Sequence, residues 1–381
     1  MDVVANGFNS KKILALENKI RLTVIINSLG IGGAEKLVAD SFPLLMEKFP
    51  RAKLVVLKKT DSFLFKKFNA HQSPLKFLTT GSVYIPFLIF KLIPILKKSE
   101  VVHLHLFPTL YWVVLASLFV KKKPVLIYTE HNTHNKRRDS KFFQKVDRWI
   151  YKRLDHIVSI AEEVDVNIKN HLQNKYNDKI LLIHNGVDLD AIYKAEPLPK
   201  ENLGVQEDDI ILLQVSSFRW QKDHATLIKA MSLLPQKYKL LLAGEGPLKE
   251  EMRLLAEKLG VAEKVSFLGN RADVPELLKT ADVVVLSSKH EGLSLSSVEA
   301  MASGKPFIAS DVPGLREIVK DYGVVFEQGN AEELAKIILN LTNDSIYSQS
   351  VTERCMSRAQ EFGIGKMTQL YIDLYKSAVQ K

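Results

Sequence analysis

Short apolar runs alternate with longer segments of helical periodicity along most of this chain. In the C-terminal half the runs IILLQV, KLLLAG, VSFLG, VVVLSS and PFIAS are each followed by apolar residues at helical spacing. Near-continuous apolar runs of this length are typical of strands in a buried parallel sheet. The alternation over residues 206–345 therefore predicts a doubly wound parallel sheet.

The N-terminal half repeats the pattern. KIRLTVIINSLGIGGAEKLVADSFPLLMEK predicts strand, glycine turn and helix, and AKLVVLKK, VVHLHLF and PVLIYT are further strand candidates. The polar, proline-bearing AEPLPKENLG separates the halves and is typical of a domain boundary. We expect a partly disordered extension at 1–19, an α/β domain at 20–195 and a second at 206–364.

Composition agrees with two globular domains. The chain has 381 residues, 46% hydrophobic and 25% charged, which is comfortable for two hydrophobic cores. The single cysteine, Cys355, excludes a disulfide framework and a CxxC metal site within this sequence. The first twenty residues lack an apolar run followed by a small-residue cleavage site, so we predict no signal peptide. The expected location is cytoplasmic.

Charge and apolar character combine in the N-terminal half. Residues 1–195 hold 31 Lys and Arg against 17 Asp and Glu, a net +14, and residues 196–381 hold 22 against 26, a net −4. Two apolar runs, 82–96 and 106–120, are each followed by lysines, and the second contains Pro108 and is too short to predict a transmembrane span. Two interpretations stay open: buried helices of the domain, or peripheral docking on the inner face of the membrane.

The stretch HEGLSLSSVEAMASGKP follows the apolar run ADVVVLSS. Glu291 lies in the loop after this strand and Glu299 in the following helix. Ligands of open α/β sheets bind at the carboxyl ends of the strands, and helix N-termini bind anions. We expect the backbone N–H groups of Gly292, Leu293 and Ser294 to open the helix at such a site. The alternative is an ordinary turn with a surface glutamate.

Glu291, seven residues and Glu299 in this context resemble the signature of the retaining glycosyltransferases of family 4. The resemblance implies the GT-B fold, two Rossmann-like domains facing across a cleft, with the last helix, 365–381, crossing back onto the N-terminal domain. It implies a nucleotide-diphosphate sugar as donor, with no metal and no cofactor. Glu291 would meet the donor sugar, and Glu299 would hold the ribose hydroxyls.

Other motifs extend this resemblance over about residues 20–375, most specifically in 206–320. The glycine loop GGAE is similar to the loop over the donor phosphates and the acceptor, and the strand end T-x-H to one whose histidine faces the donor sugar. The loop SSFRWQKDH resembles the family's phosphate-gripping loop, and two later turns resemble those that lie near the nucleotide and its base in the family. The residues implied are Gly32, Gly33, His131, Lys222, Gly244, Gly246, Asn270 and Arg271.

Three local features leave alternatives open. The family arginine five residues before the lysine is Ser217 here; Arg219 either takes over its phosphate contact or the contact is lost. Asp188-Leu189-Asp190 is a DxD, the metal motif of the other large glycosyltransferase fold, but it lies where the family has its interdomain linker. The basic loop at 134–138 is either an anionic acceptor pocket or a solvated loop; it contains His134, Lys136, Arg137 and Arg138.

The resulting hypothesis is a retaining, metal-independent glycosyltransferase of surface-polysaccharide biosynthesis with a lipid-linked saccharide acceptor. Its expected partners are a nucleotide sugar, the acceptor and an anionic membrane surface, and we expect no nucleic acid. One alternative is a catalytically inactive sugar-nucleotide or polyanion-binding protein. Another is a dinucleotide-dependent dehydrogenase or epimerase, but Glu35 occupies the last glycine position that its G-x-G-x-x-G motif needs.

Overall fold

Two parallel sheets organise the chain, each in its own unit. The computed structural model describes residues 19–30, 32–70, 74–132, 140–292 and 294–380. The first unit comprises the described residues of Met1–Gly186 and Ile364–Lys381, and the second comprises those of Val187–Gly363. The expected extension at 1–19 lies outside the described residues except for Lys19.

The first unit is a seven-stranded parallel sheet of order β3-β2-β1-β4-β5-β6-β7. Its strands are β1 (Leu22–Ile26), β2 (Lys53–Lys58), β3 (Leu75–Thr79), β4 (Val101–His105), β5 (Val125–Glu130), β6 (His156–Ser159) and β7 (Ile180–Leu182). The helices between them are α1 (Gly33–Lys48), α2 (Phe63–Ala70), α3 (Leu88–Leu96), α4 (Thr109–Ser117), α5 (Lys141–Tyr151) and α6 (Glu162–His171).

The second unit is a six-stranded parallel sheet of order β10-β9-β8-β11-β12-β13. After α7 (Leu189–Tyr193) its strands are β8 (Ile210–Val215), β9 (Tyr238–Ala243), β10 (Val265–Gly269), β11 (Val283–Leu286), β12 (Phe307–Ser310) and β13 (Val324–Phe326). Its further helices are α8 (His224–Met231), α9 (Lys249–Lys258), α10 (Val274–Thr280), α11 (Leu295–Ala302), α12 (Arg316–Val319), α13 (Ala331–Asn343) and α14 (Ser345–Ala359). The chain ends in α15 (Ile364–Gln380).

Both sheets follow the doubly wound Rossmann order, which confirms the predicted fold class. The strands are short and apolar, and all five residues of β1 are buried, as expected for a sheet covered on both faces. In each unit the chain starts at a central strand, builds outward on one side and then on the other. The strand order therefore reverses between β1 and β4, and between β8 and β11.

The boundary between the units lies earlier than predicted. Residues 187–205, expected to end the first domain and form a linker, belong to the second unit. The backbone N–H of Leu198 donates to Thr280 Oγ1 of α10 over 2.8 Å, and α7 packs against α10 and α11. At the other end, α15 packs against α1 in the first unit, with the rings of Tyr375 and Phe49 5.9 Å apart.

The two apolar runs of the N-terminal half form helices that are buried to different extents. In α4 the side chains of Leu110, Val113 and Val114 lie in the core of the first unit. In α3 one stripe of leucines is buried and Phe90, on the opposite face, is exposed, as is Phe87 just before the helix. Within the described part of the chain, no helix has both the length and the apolar character needed to cross a membrane.

Candidate functional site

An ion pair stands at the point where the strand order of the second unit reverses. Lys222 follows β8 and Glu291 follows β11, and these strands are neighbours in the sheet. Lys222 Nζ donates directly to Glu291 Oε1, and Ser288 Oγ donates to the same oxygen over 2.6 Å. Crevices at such reversal points are the usual ligand sites of open α/β sheets. Two sequence-predicted residues thus meet where a ligand is expected.

A buried polar network supports this pair. Gln214 Oε1, at the end of β8, accepts from the backbone N–H and the hydroxyl of Ser287, at 3.0 and 2.9 Å. Ser310, at the end of β12, accepts from the Ser288 N–H at 2.8 Å and donates to the Ser288 carbonyl at 2.6 Å. The network ties three strand ends together and fixes the serine that holds Glu291. Sequence analysis missed it; its only trace is the polar residues that end buried strands.

Glycines allow the loops of this site to touch. Gly314 has φ +85°, and a Cβ there would lie 2.2 Å from the Glu291 carbonyl oxygen and 2.6 Å from that of Gly292. Gly244 and Gly246 lie equally close to the loop that leads to Lys222, where a Cβ would meet carbonyl oxygens at 2.0 and 2.4 Å. The two predicted glycines therefore belong to the site's framework, and Gly314 is an addition to it.

The helix after Glu291 begins later than expected. It starts at Leu295, with Ser294 in an extended conformation at its N-cap. The N–H groups of Gly292 and Ser294 therefore precede the helix and do not form its first turn; Leu293 lies outside the described residues. Glu299 is buried in the middle of α11.

The other polar candidates of the second unit have different surroundings. Arg219 is exposed and forms no ion pair within the described residues. Arg271 Nε donates to Asp273 Oδ1 over 2.7 Å, and this hydrogen bond raises the pKa of Arg271 and lowers that of Asp273. Asn270 is exposed. Ser217, at the family's arginine position, accepts the Arg219 N–H through its backbone carbonyl.

The first unit has its own polar edge where its strand order reverses. Asn27 follows β1, and its side chain bonds to the segment that follows β4. Its amide donates to the Phe107 carbonyl at 2.5 Å, and its side-chain oxygen accepts from the Thr109 N–H at 3.2 Å. The predicted glycine loop follows Asn27. Gly32 is extended, and a Cβ there would lie 2.4 Å from a carboxylate oxygen of Glu35, whose pKa is raised by burial. Gly33 begins α1.

His131 ends a string of histidines that sequence analysis missed. Its Nε2 lies 3.0 Å from His105 Nδ1, and the His105 ring lies 4.2 Å from that of His103. His103 reaches Thr129 Oγ1 at 2.7 Å and the hydroxyl of Tyr375, on α15, at 2.6 Å. The string thus joins the strand end at His131 to the C-terminal helix. Its sequence trace is the alternation VHLHL, which places both histidines on one face of β4.

Burial keeps these imidazoles neutral. It lowers the pKa of His131 to about 4 and that of His103 to about 3, and it holds the pKa of His105 well below its usual value. Neighbouring imidazoles add to the shift for His103 and His105, because like charges at this distance repel. At neutral pH the edge of the first unit therefore presents uncharged donors and acceptors.

The DxD aspartates have local partners. Asp188 caps α7 by accepting from the Ala191 N–H at 3.1 Å, and Asp190 pairs with Lys194 at 3.3 Å. Across the described residues, no group of three His, Cys, Asp or Glu side chains is arranged to hold a metal. The basic loop with His134, Lys136, Arg137 and Arg138 lies outside the described residues.

Family comparisons match both halves of the chain. Residues 197–361 match the family described as glycosyl transferases group 1, and residues 31–191 match glycosyltransferase family 4. The putative glycosyltransferase EpsD of Bacillus subtilis is 30% identical over 266 residues, which cover 66% of this chain and 69% of EpsD.

Two further relatives cover nearly the whole chain. An enzyme of Campylobacter jejuni, N-acetylgalactosamine-N,N'-diacetylbacillosaminyl-diphospho-undecaprenol 4-alpha-N-acetylgalactosaminyltransferase, is 25% identical over 90% of this chain and 95% of its own. The crystal structure of HepE from Anabaena, in complex with UDP and glucose, superposes with a TM-score of 0.81 at 20% identity. That match covers 93% of this chain and 99% of HepE, and it shows a common fold.

Proposed function

Because this chain belongs to the family 4-type glycosyltransferases of GT-B fold, we propose that it is a retaining enzyme that uses a nucleotide-diphosphate sugar and a lipid-linked saccharide acceptor. The observation that carries the proposal is the Lys222–Glu291 pair at the strand-order reversal of the second unit. Such a position is where a nucleotide binds in doubly wound sheets. The pair offers a cation for phosphate and a carboxylate for sugar hydroxyls.

The proposed transfer breaks the bond between the anomeric carbon and the β-phosphate oxygen, and the electron pair leaves with the nucleoside diphosphate. The acceptor hydroxyl oxygen forms the new bond on the same face, and its proton passes to the departing phosphate oxygen. Lys222 stabilises the charge that develops on that phosphate, as preorganised cations do in transferase sites. Glu291, held by Ser288, orients the donor sugar, and Glu299 accepts the ribose hydroxyls.

His131 is assigned to the donor sugar. A neutral imidazole suits this role, since it donates or accepts one hydrogen bond without adding charge beside the reacting carbon. His105 acts through His131 as a positioning residue, because their ring nitrogens are within hydrogen-bond distance. The role of Gly32 and Gly33 is to let a ligand approach the backbone before α1.

The ligands and substrates of two similar proteins support a choice of donor and of acceptor. HepE was crystallised with UDP and with UDP-glucose, which favours a uridine diphosphate sugar as donor. The name of the Campylobacter jejuni enzyme includes a sugar on diphospho-undecaprenol, which favours an acceptor on a lipid diphosphate. We propose that the protein works at the cytoplasmic face of the membrane and needs no metal.

Incubation with a panel of nucleotide sugars tests the proposal. We expect release of nucleoside diphosphate from one donor, unchanged by excess chelator, and a product whose anomeric configuration by NMR equals that of the donor. Lys222→Ala serves as the control with slowed turnover. Binding of a nucleotide sugar without turnover would favour the inactive binding protein. Activity lost with chelator and restored by manganese would overturn the metal-free mechanism.

A further inference from the structure

Four large apolar side chains form an exposed patch at the start of α3 in the first unit. Tyr84, Ile85, Phe87 and Phe90, here named the aromatic shelf, are each between 42% and 62% exposed. The rings of Phe87 and Phe90 lie 5.8 Å apart and pack against each other. Contiguous exposed apolar surface of this kind usually marks a binding face.

These four side chains lie outside the buried core of the first unit. The buried residues of α3 are Leu88, Leu92 and Leu96, which form one stripe at four-residue spacing, and the three isoleucines of the helix pack against the same core. Phe90 points away from that stripe. The segment before the helix is nevertheless held in place, since Trp112 Nε1 donates to the Val83 carbonyl at 2.7 Å. The shelf is thus an exposed surface on a fixed support.

The shelf lies at the edge of the sheet where ligands bind. Because α3 connects β3 to β4 in a parallel sheet, its first residues lie at the carboxyl edge and its last at the amino edge. The Tyr84 ring lies 6.0 Å from that of Phe107, whose carbonyl accepts the Asn27 side chain beside the glycine loop. The aromatic surface therefore continues into the polar edge that holds the proposed acceptor side.

Cations border the shelf. Lys91 Nζ lies 5.9 Å from the centre of the Phe87 ring and donates to the Leu78 carbonyl at 2.6 Å. A second lysine, Lys59, follows β2 at the same carboxyl edge of the sheet, where its backbone N–H donates to the Thr79 carbonyl over 3.0 Å. Aromatic side chains with neighbouring lysines are typical of surfaces that enter the interfacial region of an anionic bilayer.

The opposite edge offers a competing surface. Leu118 and Phe119, 53% and 62% exposed, follow α4 at the amino edge. The lysines that sequence analysis singled out, Lys97, Lys98 and Lys121–Lys123, lie at that same edge. A five-residue strand spans roughly 16 Å. Docking through the amino edge would therefore hold the ligand-binding edge away from the bilayer.

We propose that the aromatic shelf docks the first unit on an anionic membrane and holds its carboxyl edge against the leaflet. The lipid part of the acceptor would then stay in the bilayer while its sugar meets the glycine loop. The choice of the shelf over the amino edge rests on the proposed function, because it requires the acceptor side to face the bilayer. The partner of the shelf is the lipid surface, and the experiment distinguishes docking through the shelf from docking through the amino edge.

Tryptophan placed at each edge reports which one meets lipid. Phe90→Trp and Phe119→Trp exchange one exposed aromatic residue for another at the shelf and at the amino edge. Each full-length protein is mixed with vesicles of phosphatidylcholine and phosphatidylglycerol in equal amounts, with and without brominated acyl chains. We expect bromine to quench the added fluorescence of Phe90→Trp and not that of Phe119→Trp. Quenching of Phe119→Trp alone, or of neither, would overturn the proposal.

Polar variants measure how much each edge contributes to vesicle binding. Y84Q/F87Q/F90Q should weaken vesicle binding in co-sedimentation by at least about tenfold, since three exposed apolar side chains no longer enter the interface. L118Q/F119Q is the matched control and should bind within about twofold of the parent. Equal losses in the shelf variant and L118Q/F119Q would contradict the proposal.

A second measurement separates docking from catalysis. Release of nucleoside diphosphate from the donor in the absence of vesicles should be the same for the parent and the shelf variant, which also shows that the variant is folded. Turnover without shelf-dependent vesicle binding would refute the docking surface and leave the enzyme assignment standing. Shelf-dependent binding without turnover of any nucleotide sugar would refute the proposed function and leave the docking surface standing.

Discussion

The two sheets follow the same doubly wound strand order, but the side chains at their carboxyl edges differ in charge. In the second unit the loops after the two central strands bring together a lysine and a glutamate. In the first unit the strand ends present neutral histidines joined to one another and to α15. The same backbone thus supports a charged site and an uncharged one. The difference resides in the loops and strand ends, where side chains change without loss of the core.

The difference matches the chemistry proposed for each edge. A leaving diphosphate needs a cation in a fixed position, and Lys222 is held by the carboxylate that Ser288 fixes. A sugar needs hydrogen bonds more than charge, and His131 is kept neutral by its enclosure. Four predictions test this contrast, from the largest expected effect to the smallest.

Removing the cation of the second unit should have the largest effect. Lys222→Ala should slow transfer by one to three orders of magnitude, about 1.4–4 kcal/mol of transition-state stabilisation, measured as kcat/KM. Because the change also removes the cation that pairs with Glu291, Lys222→Ala is compared with Lys222→Ala/Glu291→Gln. Lys289→Ala, a neighbouring lysine 3.8 Å from Asp223, is the control. Full activity in Lys222→Ala would make the ion pair merely structural.

Removing the second carboxylate should affect nucleotide binding. Glu299→Ala should weaken the affinity for the donor nucleotide by about 1.5–3 kcal/mol, because a ribose diol loses a charged acceptor. Titration calorimetry with the nucleoside diphosphate measures the loss, and Glu299→Gln separates charge from shape. Unchanged affinity would remove Glu299 from the site and restrict its role to the fold of α11.

Substitutions at two glycines separate the cost of a steric clash from the cost of an unfavourable backbone conformation. Gly314 and Gly329 have nearly the same φ, +85° and +83°, but only Gly314 faces other atoms at the Cβ position. Gly329→Ala should cost about 1 kcal/mol of unfolding free energy, the conformational term alone. Gly314→Ala should cost about 1–3 kcal/mol more and should also lower transfer, because the Glu291 loop must move. Equal effects in denaturant titrations would contradict the loop contact.

Acidification should distinguish the units by stability. The first unit holds three described histidines of lowered pKa, His103, His105 and His131, and the second holds one, His224, with a pKa of about 3. The unfolded chain takes up protons near pH 6.5 and the folded chain does not, so stability is full above pH 6.5 and falls toward pH 3–4. Each histidine contributes at most about 1.4 kcal/mol per pH unit.

Hydrogen exchange at pH 7 and pH 5 resolves the two units. We expect the first unit to lose more protection than the second on acidification, and His103→Gln to make that loss smaller. Equal losses in both units, or a loss that His103→Gln leaves unchanged, would show that the histidine string does not control the stability of the first unit.

Much of the fold was predictable from local pattern. Alternating apolar runs and helical segments predicted two parallel α/β domains, because buried strands and amphipathic helices have different periodicities. The motif with Glu291 and Glu299, and the loop with Lys222, pointed to the edge of the second sheet. The domain boundary was less predictable, since Leu198 belongs to the second unit through a hydrogen bond to a residue 82 positions away.

By itself, the sequence determined the order of strands and helices and the residue types at their ends, which are local properties. The tertiary structure alone decided that Lys222 and Glu291, 69 residues apart, share a hydrogen bond, and that His103 reaches Tyr375 across 272 residues. It also decided that α3 buries its leucines and exposes Phe87 and Phe90. These contacts depend on which strands and helices become neighbours, and periodicity along the chain contains no information about neighbours in space.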